Sequence, residues 1–107
     1  MMQLRLKDIA SVIRSKNAGP YELTLDVLLQ SDEMFEKVRA ADVINKGSVA
    51  KLYGVPEEEI LSIVYFPNAR AVKITMVRPI PSGAMGERDV YGAQQHAPLV
   101  GFTFELD

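Results

Sequence analysis

His96 is the one histidine of the chain, and it closes the run Asp89-Val90-Tyr91-Gly92-Ala93-Gln94-Gln95-His96. An imidazole titrates near neutral pH and suits proton transfer, while a solitary histidine can equally pack and hydrogen-bond as a structural group; both readings stand. Asp89 can cap a single helical turn within that run. A metal centre would need further ligands, and Asp89 and Glu87 have no diagnostic spacing, so none is expected. A second cluster occupies residues 14–20. Arg14 and Lys16 flank a turn whose Asn17 to Gly19 amides could form a nest for a carboxylate or phosphate. Solvated hairpin charges account for the same spacing. Gly83-Ala84-Met85-Gly86 is too short and isolated for a phosphate-binding glycine loop, and no nucleophile elbow or ordered triad is present. No cofactor is indicated.

The elements that must position these residues follow from periodicity. Tyr21, Leu23, Leu25, Val27 and Leu29 alternate with Glu22, Thr24 and Asp26, the period-two pattern of a strand with one buried face. Leu4, Leu6, Ala10 and Val12 share a parity that Asp8 interrupts, which predicts a bulged strand over residues 4–13. The breaker-rich residues 15–20 make these two runs a hairpin. Ser31 caps a helix with Met34, Phe35, Val38 and Ala41 inward, and Asn45 caps a shorter one ended by Gly54 and Pro56. Residues 60–66 are apolar on both parities, as expected of a central strand covered on both faces. Val72, Ile74 and Met76 alternate with Lys73 and Thr75 after the turn 67–70, and Val100, Phe102, Phe104 and Leu106 alternate to the last residues.

Five strands in one sheet, mixed but mostly antiparallel, with helices on one face define the α+β class, in a ferredoxin-like sandwich. The 107 residues are expected to form a single domain over 1–107. Residues 78–98 exceed the roughly 4 to 6 residue median connection several-fold, and such loops are functional more often than not when neither charge-rich nor repetitive.

Hydrophobic residues at 48% exclude a disordered chain, and a net charge of −2 gives no field for nucleic acid or an anionic membrane. The stretch from Ser48 to Glu57 superficially suggests a helix-turn-helix, but Glu57-Glu58-Glu59 would oppose phosphate. With no cysteine, neither disulfides nor thiolate ligation can hold the fold. Met1 to Asp8 lacks the apolar run of a signal peptide, and no stretch is long enough to span a membrane, so a cytoplasmic location is expected. The small core and two-faced strand predict a homo-oligomer or a stable heteromer.

Two motifs carry a resemblance that spans nearly the whole chain: residues 14–26, Arg-Ser-Lys-Asn-Ala-Gly-Pro-Tyr-Glu-Leu-Thr-Leu-Asp, and residues 89–98, Asp-Val-Tyr-Gly-Ala-Gln-Gln-His-Ala-Pro. The chain resembles a bacterial and fungal family of small domains of unknown function, similar to partners of, or fusions with, AtuA-like (acyclic terpene utilisation) proteins. The resemblance implies a small subunit or accessory domain in catabolism of an organic acid or CoA thioester, in a hydratase, lyase or isomerase step. It singles out Arg14, Ser15, Lys16, Asn17, Gly19, Tyr91, Gln94 and Gln95 as substrate-binding and His96 and Asp89 as proton-transferring. Arg14 and Lys16 would hold a small anionic substrate while Tyr91, Gln94 and Gln95 orient it. The alternative is a non-catalytic binding or assembly subunit that docks its long loop on the larger AtuA-like partner.

Overall fold

The computed structural model describes residues 2–18, 21–77 and 97–106. In chain order these form β1 (Met2–Arg5), α1 (Leu6–Ile9), β2 (Ala10–Asn17), β3 (Glu22–Leu29), α2 (Asp32–Ala41), α3 (Lys46–Tyr53), β4 (Ile60–Phe66), β5 (Ala71–Val77), α4 (Ala97–Val100) and β6 (Thr103–Leu106). The fold is α+β. A four-stranded sheet has the order β2-β3-β5-β4, and β1 pairs with β6 in a separate two-stranded sheet. Every pairing among these strands is antiparallel. A ferredoxin-like layout is compatible with this content, although the strand order does not establish that topology.

Three expectations are corrected. The strands form two sheets rather than one, because the run from Leu4 to Ile13 is not a continuous strand. Leu6 and Ile9 are both buried, and a spacing of three puts them on one side of a helical turn but on opposite faces of a strand. The backbone therefore turns through α1 at the Asp8 interruption, and a bulge at Ser11 follows, between the Ala10–Leu29 and Val12–Leu28 pairs. The closing run likewise begins as a helical turn, α4, before becoming β6. Finally, β4 is an edge strand, with β3 and β5 central. Its two apolar parities reflect one buried face and one left bare, with Leu61, Val64 and Phe66 exposed.

The two runs pair antiparallel as expected, but β2 runs through Asn17, which lies opposite Leu23, and beyond it the Ala18 amide donates to the Glu22 carbonyl at 3.0 Å. Both helix caps are in place. The Ser31 hydroxyl accepts from the Met34 amide at 3.1 Å, and Asn45 and Ser48 form a reciprocal box, each side chain accepting from the other's amide. Gly54, with φ +67°, ends α3 in the left-handed conformation that glycine adopts without steric cost. Glu33 and Lys37 form the i,i+4 pair on the outer side of α2.

One face of the large sheet builds the core. Leu23, Leu25, Val27 and Leu29 of β3 and Val72, Ile74 and Met76 of β5 join Phe35 and Val38 of α2, Ile44, and Val49 and Ala50 of α3 in one buried cluster. Leu6, Ile9, Leu99 and Phe104 extend it toward the small sheet. Both helices thus cover the same face. Phe35 meets Tyr65 of β4 edge-on, ring centroids 5.9 Å apart.

Candidate functional site

The opposite face of the large sheet is covered by no described helix, and pairing register sorts its side chains into rows. Arg14 lies opposite Asp26, which lies opposite Lys73, which lies opposite Val64. Nearer the hairpin turn, Lys16, Thr24, Thr75 and Ser62 form a row of one ammonium and three hydroxyls. Farther away, Val12, Leu28, Ala71 and Phe66 form an apolar row. The Arg14 guanidinium donates from Nε to Asp26 Oδ2 at 3.2 Å, with the arginine side chain 63% exposed and the aspartate 19%. Thr24 is buried, and its hydroxyl donates to the Lys16 carbonyl at 3.3 Å, holding the β2 edge in place.

Arg14 and Lys16 therefore share this face as strand residues, two apart, and not as tips of a loop. Ser15, between them, is buried on the core face, so the three do not converge on one ligand from one side. Asn17 ends β2 opposite Leu23. The Ala18 amide, in the middle of the expected nest, is committed to the hairpin. Gly19, Asp89, Tyr91, Gln94, Gln95 and His96 lie outside the described residues, as does the rest of 78–96. The sequence reading did not include Asp26, Lys73, Thr24, Thr75 or Ser62. Four of these stand on the polar parity of β3 and β5, a visible signal, but only the register places them beside Arg14 and Lys16.

Among the described residues, no group of three or more histidine, cysteine, aspartate and glutamate side chains could hold a metal ion, and no helix is long and apolar enough to cross a membrane. Two shallow surface grooves lie elsewhere, one lined by Lys46, Glu57, Glu58, Ile60 and Leu61, the other by Ser48, Lys51, Leu52, Phe102 and Thr103.

Two phenols on the helix-covered side are shifted. Burial raises the Tyr53 hydroxyl well above its ordinary range. Tyr65 is pushed up to about 12 by burial and by the nearby Asp42 charge, while its hydroxyl donates to the Ile44 carbonyl at 2.8 Å. An unfolded chain ionises a tyrosine near 10, so Tyr65 contributes fully to stability below pH 10, and that contribution falls as pH rises through about 12. Tyr65→Phe should flatten this part of the alkaline unfolding curve relative to wild type. Denaturant midpoints taken across the alkaline range, alongside tyrosinate absorbance, check it; identical slopes in both proteins would show that Tyr65 does not titrate this way.

The chain is an α+β domain whose antiparallel sheet has one face under helices and one carrying alternating charged, hydroxyl and apolar rows. It belongs to the family described as domain of unknown function DUF4387, whose profile matches residues 6–103. Searches of curated proteins and of solved structures gave no match.

Proposed function

We propose that the domain is a small cytoplasmic accessory subunit of a catabolic enzyme acting on an organic acid or CoA thioester by hydratase, lyase or isomerase chemistry, with an AtuA-like protein as its larger partner. One observation carries the reading. Val77, the last residue of β5, pairs with Glu22, the first residue of β3 after the hairpin turn. The connection bearing Asp89 to His96 thus leaves the sheet beside the hairpin, the end nearest Lys16. In this reading Lys16 and Arg14 attract the anionic group, the hydroxyl row of Thr75 and Ser62 gives it donors, Asp89 or His96 moves the proton, and Tyr91, Gln94 and Gln95 orient the reacting group. Asn17 and Gly19 contribute at the turn.

The experiment is to purify the domain, the larger partner and their complex, and to compare turnover across a panel of short organic acids and their CoA thioesters. Turnover by the complex well above that of either component is expected. Equal turnover by the partner alone would overturn the catalytic role and leave the domain as an assembly subunit.

A further inference from the structure

The edge strand β4 differs from the other edge of its sheet. Residues Ile60–Phe66 contain no charge and no proline, whereas β2 carries Arg14 and Lys16 along its length. Edge strands left this bare present a row of amides and carbonyls to any strand that can pair with them, and charges or prolines are the usual protection. Among the described residues β4 pairs with β5 and with no other strand. Three of its apolar side chains are open: Leu61 is 42% exposed, Val64 43% and Phe66 44%.

Charge at the ends of β4 identifies what fits there. The strand is preceded by the acidic helical turn Glu57–Glu59, with Glu57 and Glu58 exposed, and followed by the turn Pro67–Ala69 and Arg70. Arg70 is half-exposed and, among the described residues, holds one ion-pair partner, Asp32, at a long 3.7 Å. An identical strand laid antiparallel along β4 would bring each acidic turn toward the other copy's Arg70; laid parallel, it would bring acid against acid. Face matching then limits the register. The bulge at Leu61, between the Ile60–Met76 and Ser62–Thr75 pairs, places Ser62, Val64 and Phe66 on the open face and Ile63 and Tyr65 on the covered one. Opposed residues of an antiparallel pair must share a face. A twofold axis through Val64 satisfies this throughout: Val64 faces Val64, Ser62 faces Phe66 and Ile63 faces Tyr65 of the second copy.

We propose that the domain forms a homodimer by antiparallel β4–β4 pairing, which joins two four-stranded sheets into one continuous eight-stranded sheet with both charged and hydroxyl faces on the same side. This goes beyond the accessory-subunit reading and stands whether or not that reading holds. Backbone hydrogen bonds supply the affinity, and the two Phe66 rings, each beside Ser62 and Val64 of the other copy, close the apolar seam. Such a pairing lies at the small end of stable interfaces, below roughly 1,200 Å² of total buried surface. Its dissociation constant is therefore expected in the micromolar range.

Sedimentation velocity on the full chain tests it, with Val64→Lys, Val64→Glu and an equimolar mixture of the two. Wild type should dimerise at micromolar concentration. Each variant alone should be a monomer, since like charges would face each other at the axis, with far-ultraviolet circular dichroism unchanged because Val64 is a surface position. The mixture should recover a dimer containing one copy of each. A monomeric wild type, a variant that still dimerises, or a mixture that stays monomeric would each overturn the pairing.

Discussion

Phe35→Ala should lower the stability of the domain by about 3 to 5 kcal/mol, the usual cost of removing a fully buried phenylalanine ring. Phe35 is 1% exposed, sits on the inward side of α2, and touches Tyr65 across the core. The ring lies in a cluster with the core-facing residues of β3 and β5, which are held by pairing on both sides, so the space it leaves is filled only in part. A domain of this size has a total stability on the order of 5 to 15 kcal/mol, so the substitution removes a large share of it. The effect should appear in urea unfolding as a lower midpoint with an unchanged slope. Phe35→Leu, which keeps most of the volume, should recover more than half of the loss. A midpoint that moves by less than the equivalent of about 1 kcal/mol would mean that α2 does not close the core as described.

The core was legible before the structure because the residues that build it follow simple periods. The alternation in β3 and β5 and the 3.6-residue stripe of α2 each report a single covered face, and Phe35, Val38, Leu25 and Ile74 are all found there. The caps were legible as well, since Ser31 and Asn45 precede apolar stripes with no competing role. What failed were the segments where two structures give the same local pattern. Leu4 and Leu6 are compatible with one strand until the burial of Ile9 requires a helical turn, and Val100 and Phe102 continue the parity of β6 although the chain is helical through Val100. For β4, apolar residues on both parities signify either a strand covered on both sides or an edge strand with a bare face. Periodicity cannot separate these, because sheet order depends on contacts distant in sequence.

The same limit governs the candidate site. Thr24, Asp26, Lys73 and Thr75 could each be seen to lie on the polar side of its strand, whereas Arg14 and Lys16 read as flanking a turn that β2 runs through; which of them stand side by side is fixed by register across two pairings. Residue spacing within one strand carries no such information. Ser15 shows the converse: grouped with Arg14 and Lys16 by adjacency, it is separated from them by the plane of the sheet.

Replacing Lys16 or Arg14 with alanine should weaken binding of an anionic ligand, or turnover by the complex with its larger partner, by roughly ten- to a hundredfold, while barely changing stability. The size follows from losing one charge-assisted hydrogen bond, worth about 1.5 to 3 kcal/mol where the ligand shields it from water. The stability forecast rests on local electrostatics. The Arg14–Asp26 pair is exposed on the arginine side, and such pairs contribute at most about 1 kcal/mol. Asp26 would not be stranded by the loss of Arg14, because Lys73 lies directly opposite it on the other side. Lys16 makes its described contact through its carbonyl, which alanine retains. Titration with a panel of small carboxylates and thioesters, together with thermal unfolding of the same samples, separates the two effects. Asp26→Asn serves as the contrast: it removes a negative charge from between Arg14 and Lys73, so it should leave anion affinity equal to or tighter than wild type. Unchanged affinity in both the Lys16 and Arg14 variants would remove this sheet face from the binding site, and a matching fall in melting temperature would instead make both residues structural.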